Sequence, residues 1–122
     1  MTNPYDIYIK TDIETASPLK QIIMLYDKAI VSLKQAVEDI KNNRIKDKVE
    51  NIHKATDIIL ALDAALDLEK GGEIAKNLKD LYNFAYNKLL EAHAKNDTEL
   101  INDIIEILET LRSAWEEIES KS

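Results

Sequence analysis

From Leu19 to Ile40 the apolar residues recur at the spacing of one helical face. Set about 100° apart, Leu19, Ile22, Ile23, Tyr26, Ala29, Ile30, Leu33, Val37 and Ile40 fall in a single stripe wide enough to be buried against partner helices. The preceding Thr15-Ala16-Ser17-Pro18 supplies a start signal. Ser17 can accept from the free amides of a first turn, and Pro18 suits the first helical position, where a missing N–H costs nothing. Met24 and Val31 leave the stripe and sit seven residues apart on the opposite face. They are either ordinary exposed apolar residues or part of a second contact surface.

After the polar break Lys41-Asn42-Asn43-Arg44, the residues Ile45, Val49, Ile52, Ala55, Thr56, Ile59 and Leu66 resume a helical stripe. Gly71-Gly72 predicts the end of this second helix, since glycine takes the left-handed cap conformation. Its second half, Ile58 to Leu68, is apolar on almost every side, and a helix apolar all round must be covered all round. Ile58, Ala61, Ala65 and Leu68 are therefore expected either beneath the N-terminal arm or a loop, or in a groove for another chain. The third helix is expected from Glu73 to Ala94, with Ile74, Leu78, Leu81, Tyr82, Ala85, Leu89 and Ala92 inward and Phe84 and Leu90 off the stripe. Asn96 with Glu99 forms a candidate capping box, or Asp97 a simple cap, ahead of a fourth stripe of Leu100, Ile101, Ile104, Ile107, Leu108, Leu111, Trp115 and Ile118.

Helices over about 17–42, 45–70, 73–94 and 97–119, joined by short connections, predict an all-α fold: one antiparallel four-helix bundle spanning 1–122. Residues 1–16 form a short N-terminal arm or helical turn. Its Tyr5, Ile7, Tyr8, Ile9 and Ile13 lack a strong cap and cannot bury themselves alone, so the arm is expected to lie across the bundle or to detach easily.

Composition narrows the function classes. Two glycines and two prolines in 122 residues suit an all-helical domain, and the absence of cysteine removes disulfides, thiol nucleophiles and thiolate metal sites. A net charge of −7 argues against nucleic acid, whose affinity rests on clustered Lys and Arg. It suits a basic partner, though no charge cluster localises one. No apolar run reaches the ~20 residues of a membrane span, and the first residues show no basic stretch followed by an apolar core. Neither membrane insertion nor secretion is expected.

Candidate chemistry is thin. Glu50-Asn51-Ile52-His53 has the Glu-x-x-His spacing of di-iron bundles, but a second copy is missing, because Leu90 stands three places before His93. His53 could serve as an exposed phosphoryl acceptor in a phosphotransfer bundle, yet the lysine and glycine expected downstream are replaced by Thr56 and Asp57. Ser17 and Ser32 stand in no nucleophile context, and no glycine-rich phosphate loop is present. The expectation is a protein-binding bundle without catalytic residues, metal, cofactor or small-molecule substrate. Asp63, within the inward sector of the second helix, has no evident place in it.

Asn3-Pro4-Tyr5 with Tyr8, Thr15-Ala16-Ser17-Pro18, Met24-Leu25-Tyr26-Asp27 with Ala29-Ile30, Ile74-Ala75-Lys76-Asn77-Leu78 with Leu81-Tyr82, and Leu111-Arg112 with Trp115 together resemble the flagellar secretion chaperone family, FliS. The resemblance runs nearly end to end. Lys28 departs from it, since many members have glycine there; it lies on the outer face. The resemblance implies a cytoplasmic four-helix-bundle chaperone that binds the disordered C-terminal segment of flagellin, prevents premature polymerisation and delivers it to the flagellar type III export apparatus. On that reading Ile58, Ala61, Ala65 and Leu68 are expected to bind the client, with Met24, Val31 and Phe84 as further candidates and Tyr5, Ile7 and Tyr8 covering the surface until a client displaces them. A regulatory protein-binding bundle would share every one of these patterns.

Overall fold

The computed structural model describes residues 18–121. Ser17 and the arm residues Tyr5, Ile7, Tyr8, Ile9 and Ile13 lie outside them. Four helices follow in order: α1 Pro18–Lys41, α2 Ile45–Ala64, α3 Leu68–Lys95 and α4 Thr98–Lys121. No strand occurs among the described residues. α1 packs on α2 and α4, and α3 on the same two, so the helices form a closed ring with α1 and α3 on one diagonal. With connections of two or three residues, neighbours run antiparallel.

Much of the core comes from the stripes read from the sequence: Leu19, Tyr26, Leu33, Ile52, Ile59, Leu89, Ile101, Ile104 and Leu108 are almost fully enclosed, and so is Leu62, which no stripe had included. Pro18 occupies the first position of α1, as its fixed φ favours. Asn43 and Asn96 take left-handed conformations at the two upper turns, with φ of 56° and 53°; asparagine tolerates that region better than most residues. Asn96 thereby ends α3. The Asp97 carboxylate accepts from the Leu100 amide at 3.0 Å and opens α4 as a simple cap.

The lower corner departs from the expected boundaries. The second helix was expected to reach residue 70 and stop at the glycines, but it ends at Ala64, and Leu68 begins α3. Asp67 decides the boundary: its backbone is extended and its side chain accepts from the Lys70 amide at 3.0 Å, capping a new helix. Gly71-Gly72 then falls inside α3. Gly72 interrupts it with φ 54° and ψ −135°, a combination that favours glycine. Two expected core residues are also displaced: Ile45 is 72% exposed at the start of α2, and Ile74 is 50% exposed just past the glycine break. Both belong to terminal turns, where one partner helix has ended and the apolar stripe has nothing to meet.

Asp63 finds its place here. Half-buried on α2, it accepts from Lys79 Nζ on α3 at 3.3 Å, joining the two helices near the corner.

Candidate apolar groove between the first two helices

The apolar residues left off the core stripes gather most clearly where α1 meets α2. Leu25, Val31 and Ile58 line a groove there of about 670 Å³, together with the buried Ser32 and four charged residues, Asp27, Lys28, Lys54 and Asp57. Val31, at 65% exposure, belongs to no core contact, whereas Leu25 and Ile58 are half-buried and root the groove in the core beneath it. Branched Val31 and Ile58 are stiff side chains, so such a wall can receive an apolar anchor at little entropic cost.

Ala61 and Ala65 follow Ile58 along α2 at helical spacing but lie outside the groove lining, Ala61 exposed and Ala65 half-buried against the core. Met24, 55% exposed, stands two turns from Val31 on the same face of α1. Asn51 Nδ2 donates to Asp39 at 2.8 Å, and this fixes the antiparallel register of α1 and α2. The groove itself spans Leu25 to Ser32 on α1 and Lys54 to Ile58 on α2, and Met24 lies outside its lining.

Leu68 and Phe84 stand apart from it. The bend at Ala65–Asp67 carries Leu68 onto α3, where it is exposed in the first turn. Phe84 lies on α3, away from the flank that Lys79 presents to α2, with the Lys88 amine 5.8 Å above its ring. The sequence reading did not single out Leu25, Lys28, Lys54 or Asp57 as wall residues. Their pattern is that of any flank position, and only the pairing of α1 with α2 distinguishes them.

One of the groove's charges, Asp27, is held from behind. Arg112 of α4 reaches Asp27 through Nε and also through Nη2 at 3.4 Å, and its Nη1 donates to Glu116 at 2.8 Å. At the upper end the Asp39 carboxylate, 1% exposed, accepts from Asn51 Nδ2, from Arg44 Nε at 3.0 Å and from Gln35 Nε2 at 3.4 Å. Burial alone would push its pKa up; the three donors and the Arg44 charge outweigh burial and hold it below the ordinary value.

The two histidines meet where α2 packs on α3. His53 is exposed on α2 and meets His93 of α3 edge to face, with ring centres 6.4 Å apart. No cluster of three metal-ligating side chains occurs among the described residues. Lys48 Nζ donates to the His93 carbonyl at 3.0 Å and to Asn96 Oδ1, so it caps the last turn of α3. The buried Nδ1 of His93 has no hydrogen-bond partner among the described residues, and burial, then the charges of Lys48 and His53, hold its pKa below the ordinary value. No helix among the described residues is long and apolar enough to cross a membrane.

Comparison with known proteins adds to this geometry. The profile of the family described as flagellar protein FliS matches residues 1–122. The flagellar secretion chaperone FliS of Vibrio cholerae serotype O1 is 39% identical over 92% of this chain and 82% of its own. That of Salmonella typhimurium is 36% identical over 95% and 87%, and that of Bacillus subtilis 30% over 94% and 85%. In three dimensions the chain resembles a solved structure described as a flagellar chaperone from bacteria, with a TM-score of 0.81, 19% identity, and coverage of 93% of this chain and 92% of that one.

Proposed function

The chain belongs to the flagellar protein FliS family, and on that premise we propose that it binds the disordered C-terminal segment of flagellin in the cytoplasm, keeps that segment from polymerising and hands it to the flagellar type III export apparatus. The relatives carry the name of flagellar secretion chaperones, which is a binding function and not a catalytic one.

One observation carries the reading: an apolar groove, walled by Val31 and Ile58, runs along the α1–α2 seam without a residue of the described chain filling it. A filament subunit assembles through apolar faces of amphipathic terminal segments. A helix of such a segment laid in the groove presents anchors at helical spacing to Met24, Val31, Ile58, Ala61 and Ala65, and the face that would drive assembly is covered. Leu68 and Phe84 are outlying anchors for a client longer than the seam. In this proposal Tyr5, Ile7 and Tyr8 of the N-terminal arm compete with the client for this surface. Ordering a disordered client costs free energy, which a long apolar contact offsets.

Titration calorimetry of the full chain against a synthetic peptide of about forty C-terminal flagellin residues tests the reading, because burial of a large apolar area gives a strongly negative heat-capacity change. A one-to-one end point with that signature is the expected result. A folded, helical chain that gives no heat at any temperature overturns the assignment of the client. Removal of residues 1 to 13 should preserve or raise the affinity; a large loss would make the arm part of the binding site.

A further inference from the structure

A second groove lies on another side of the ring, between α3 and α4. Its floor is Leu81, Ile107 and Leu111, all half-buried, and its rim is Asp103, Glu106 and Thr110, enclosing about 410 Å³. Ile74, two turns before Leu81 on α3, is exposed and lies outside the groove lining.

The two grooves differ in charge. The α1–α2 groove carries two acids and two lysines. The α3–α4 groove carries only acids, and neither Asp103 nor Glu106 forms an ion pair among the described residues. No lysine or arginine lines the groove, and several cations of the two helices are engaged elsewhere. α4 has seven acidic residues against Arg112 and Lys121; Arg112 turns to Asp27 and Glu116, and Lys121 to Glu117. On α3, Lys79 reaches across to α2, and Lys88 pairs with Glu91 over Phe84. The Thr110 hydroxyl donates to the Glu106 carbonyl within its own helix, so it does not engage the rim carboxylates. An apolar floor beside two uncompensated carboxylates fits one kind of occupant.

We propose that the α3–α4 groove is a second docking surface, which takes an amphipathic helix of a partner protein whose apolar anchors are flanked by lysine or arginine. Leu81, Ile107 and Leu111 receive the anchors, and Asp103 and Glu106 receive the cations. The charges on the rim steer encounter and select the partner, while the floor supplies most of the affinity. This site is separate from the α1–α2 groove and stands or falls independently of the flagellin reading.

The probe is a pair of fluorescein-labelled peptides of about five helical turns, with leucine at i, i+3, i+7 and i+10 and either lysine or glutamate at the flanks. Fluorescence anisotropy is read on the full chain and on three variants. The lysine-flanked peptide is expected to bind at least roughly tenfold tighter than the glutamate-flanked one, and more weakly as salt is raised. Asp103→Lys with Glu106→Lys should reverse that preference, and Ile107→Asp should abolish binding of both. Glu38→Lys with Glu50→Lys, an equal charge change on exposed acids of α1 and α2, should leave the preference in place. The rim variant replaces exposed residues and retains its fold, so the test does not hang on Ile107→Asp. Equal affinity for the two peptides, or a preference unmoved by the rim variant, overturns the proposal. Self-association of the chain through this face, with no peptide bound, overturns it as well.

Discussion

The hydroxyls of Tyr26 and Tyr82 meet at 2.5 Å inside the core, the one on α1 and the other on α3, helices that face each other across the diagonal of the ring. Both rings are almost fully buried. A polar contact in an apolar core is costly when half of it is lost, because the remaining hydroxyl is left without that partner. Tyr82→Phe is expected to destabilise the bundle by about 1–2 kcal/mol in urea unfolding, and Tyr26→Phe similarly. The double variant should cost less than the two singles added, and strict additivity in the cycle would show that the pair is not coupled.

Replacement of Ile58 by Asp puts a charge into the wall of the α1–α2 groove while leaving the enclosed core residues in place. Affinity for the flagellin peptide should fall by about tenfold or more, with far-UV circular dichroism unchanged. Val31→Asp should act in the same direction with a smaller effect on stability, since Val31 is mostly in solvent.

Asp39 anchors Gln35, Arg44 and Asn51 at the upper end. Asp39→Ala strands these donors and is expected to cost about 3 kcal/mol. Because the folded-state pKa lies below 3.8, the carboxylate contributes stability that is complete above that value and is lost as pH falls through the folded pKa. Asp39→Asn should flatten the acid limb of the stability curve.

His93 sets a second, higher window. Its folded pKa lies below 6.5, so the unfolded chain takes up the proton first. Stability should be constant on this account above pH 6.5 and should decline as pH falls from there toward the folded value. His93→Gln removes that decline; urea midpoints across the interval in both proteins provide the measurement.

Gly72 is held at positive φ, and a β-carbon there would meet nothing within 4 Å. Gly72→Ala therefore tests backbone strain without a clash. A loss of about 1–2 kcal/mol is expected, and an unchanged midpoint would mean that the break in α3 is readily straightened.

The helical stripes were legible because each helix buries one face, and a period of 3.6 is visible in the order of residues alone. What periodicity does not carry is the identity of the neighbour. Asp63 looked misplaced until Lys79, sixteen residues away, was seen to reach it. Phe84 could be read as lying off the core stripe, but which flank of α3 it occupies depends on where α2 stands. Ile58 stands out in the sequence as an apolar residue needing a cover, but that Leu25 and Val31 of α1 form the facing wall emerges only once α1 and α2 are paired. The lower corner was misread for a local reason. Two glycines signal backbone freedom without saying whether a helix stops or merely breaks there, and the extended Asp67 cap made the decision four residues earlier. The acidic rim was invisible as a cluster because Asp103 and Glu106 are ordinary exposed positions until Leu81 is set beside them.

The two ends of the bundle are fastened by different means. Buried polar anchors, Asp39 with its donors and Lys48 across the last turn of α3, lock the upper turns. At the lower corner a three-residue bend and the interrupted first turn of α3 are held by the Asp67 cap and the partly exposed Asp63–Lys79 pair. The two ends are therefore expected to differ in local stability: amide hydrogen exchange should find the backbone around Ala65–Asp67 opening before that around Asn42–Arg44, because fewer buried polar contacts hold it.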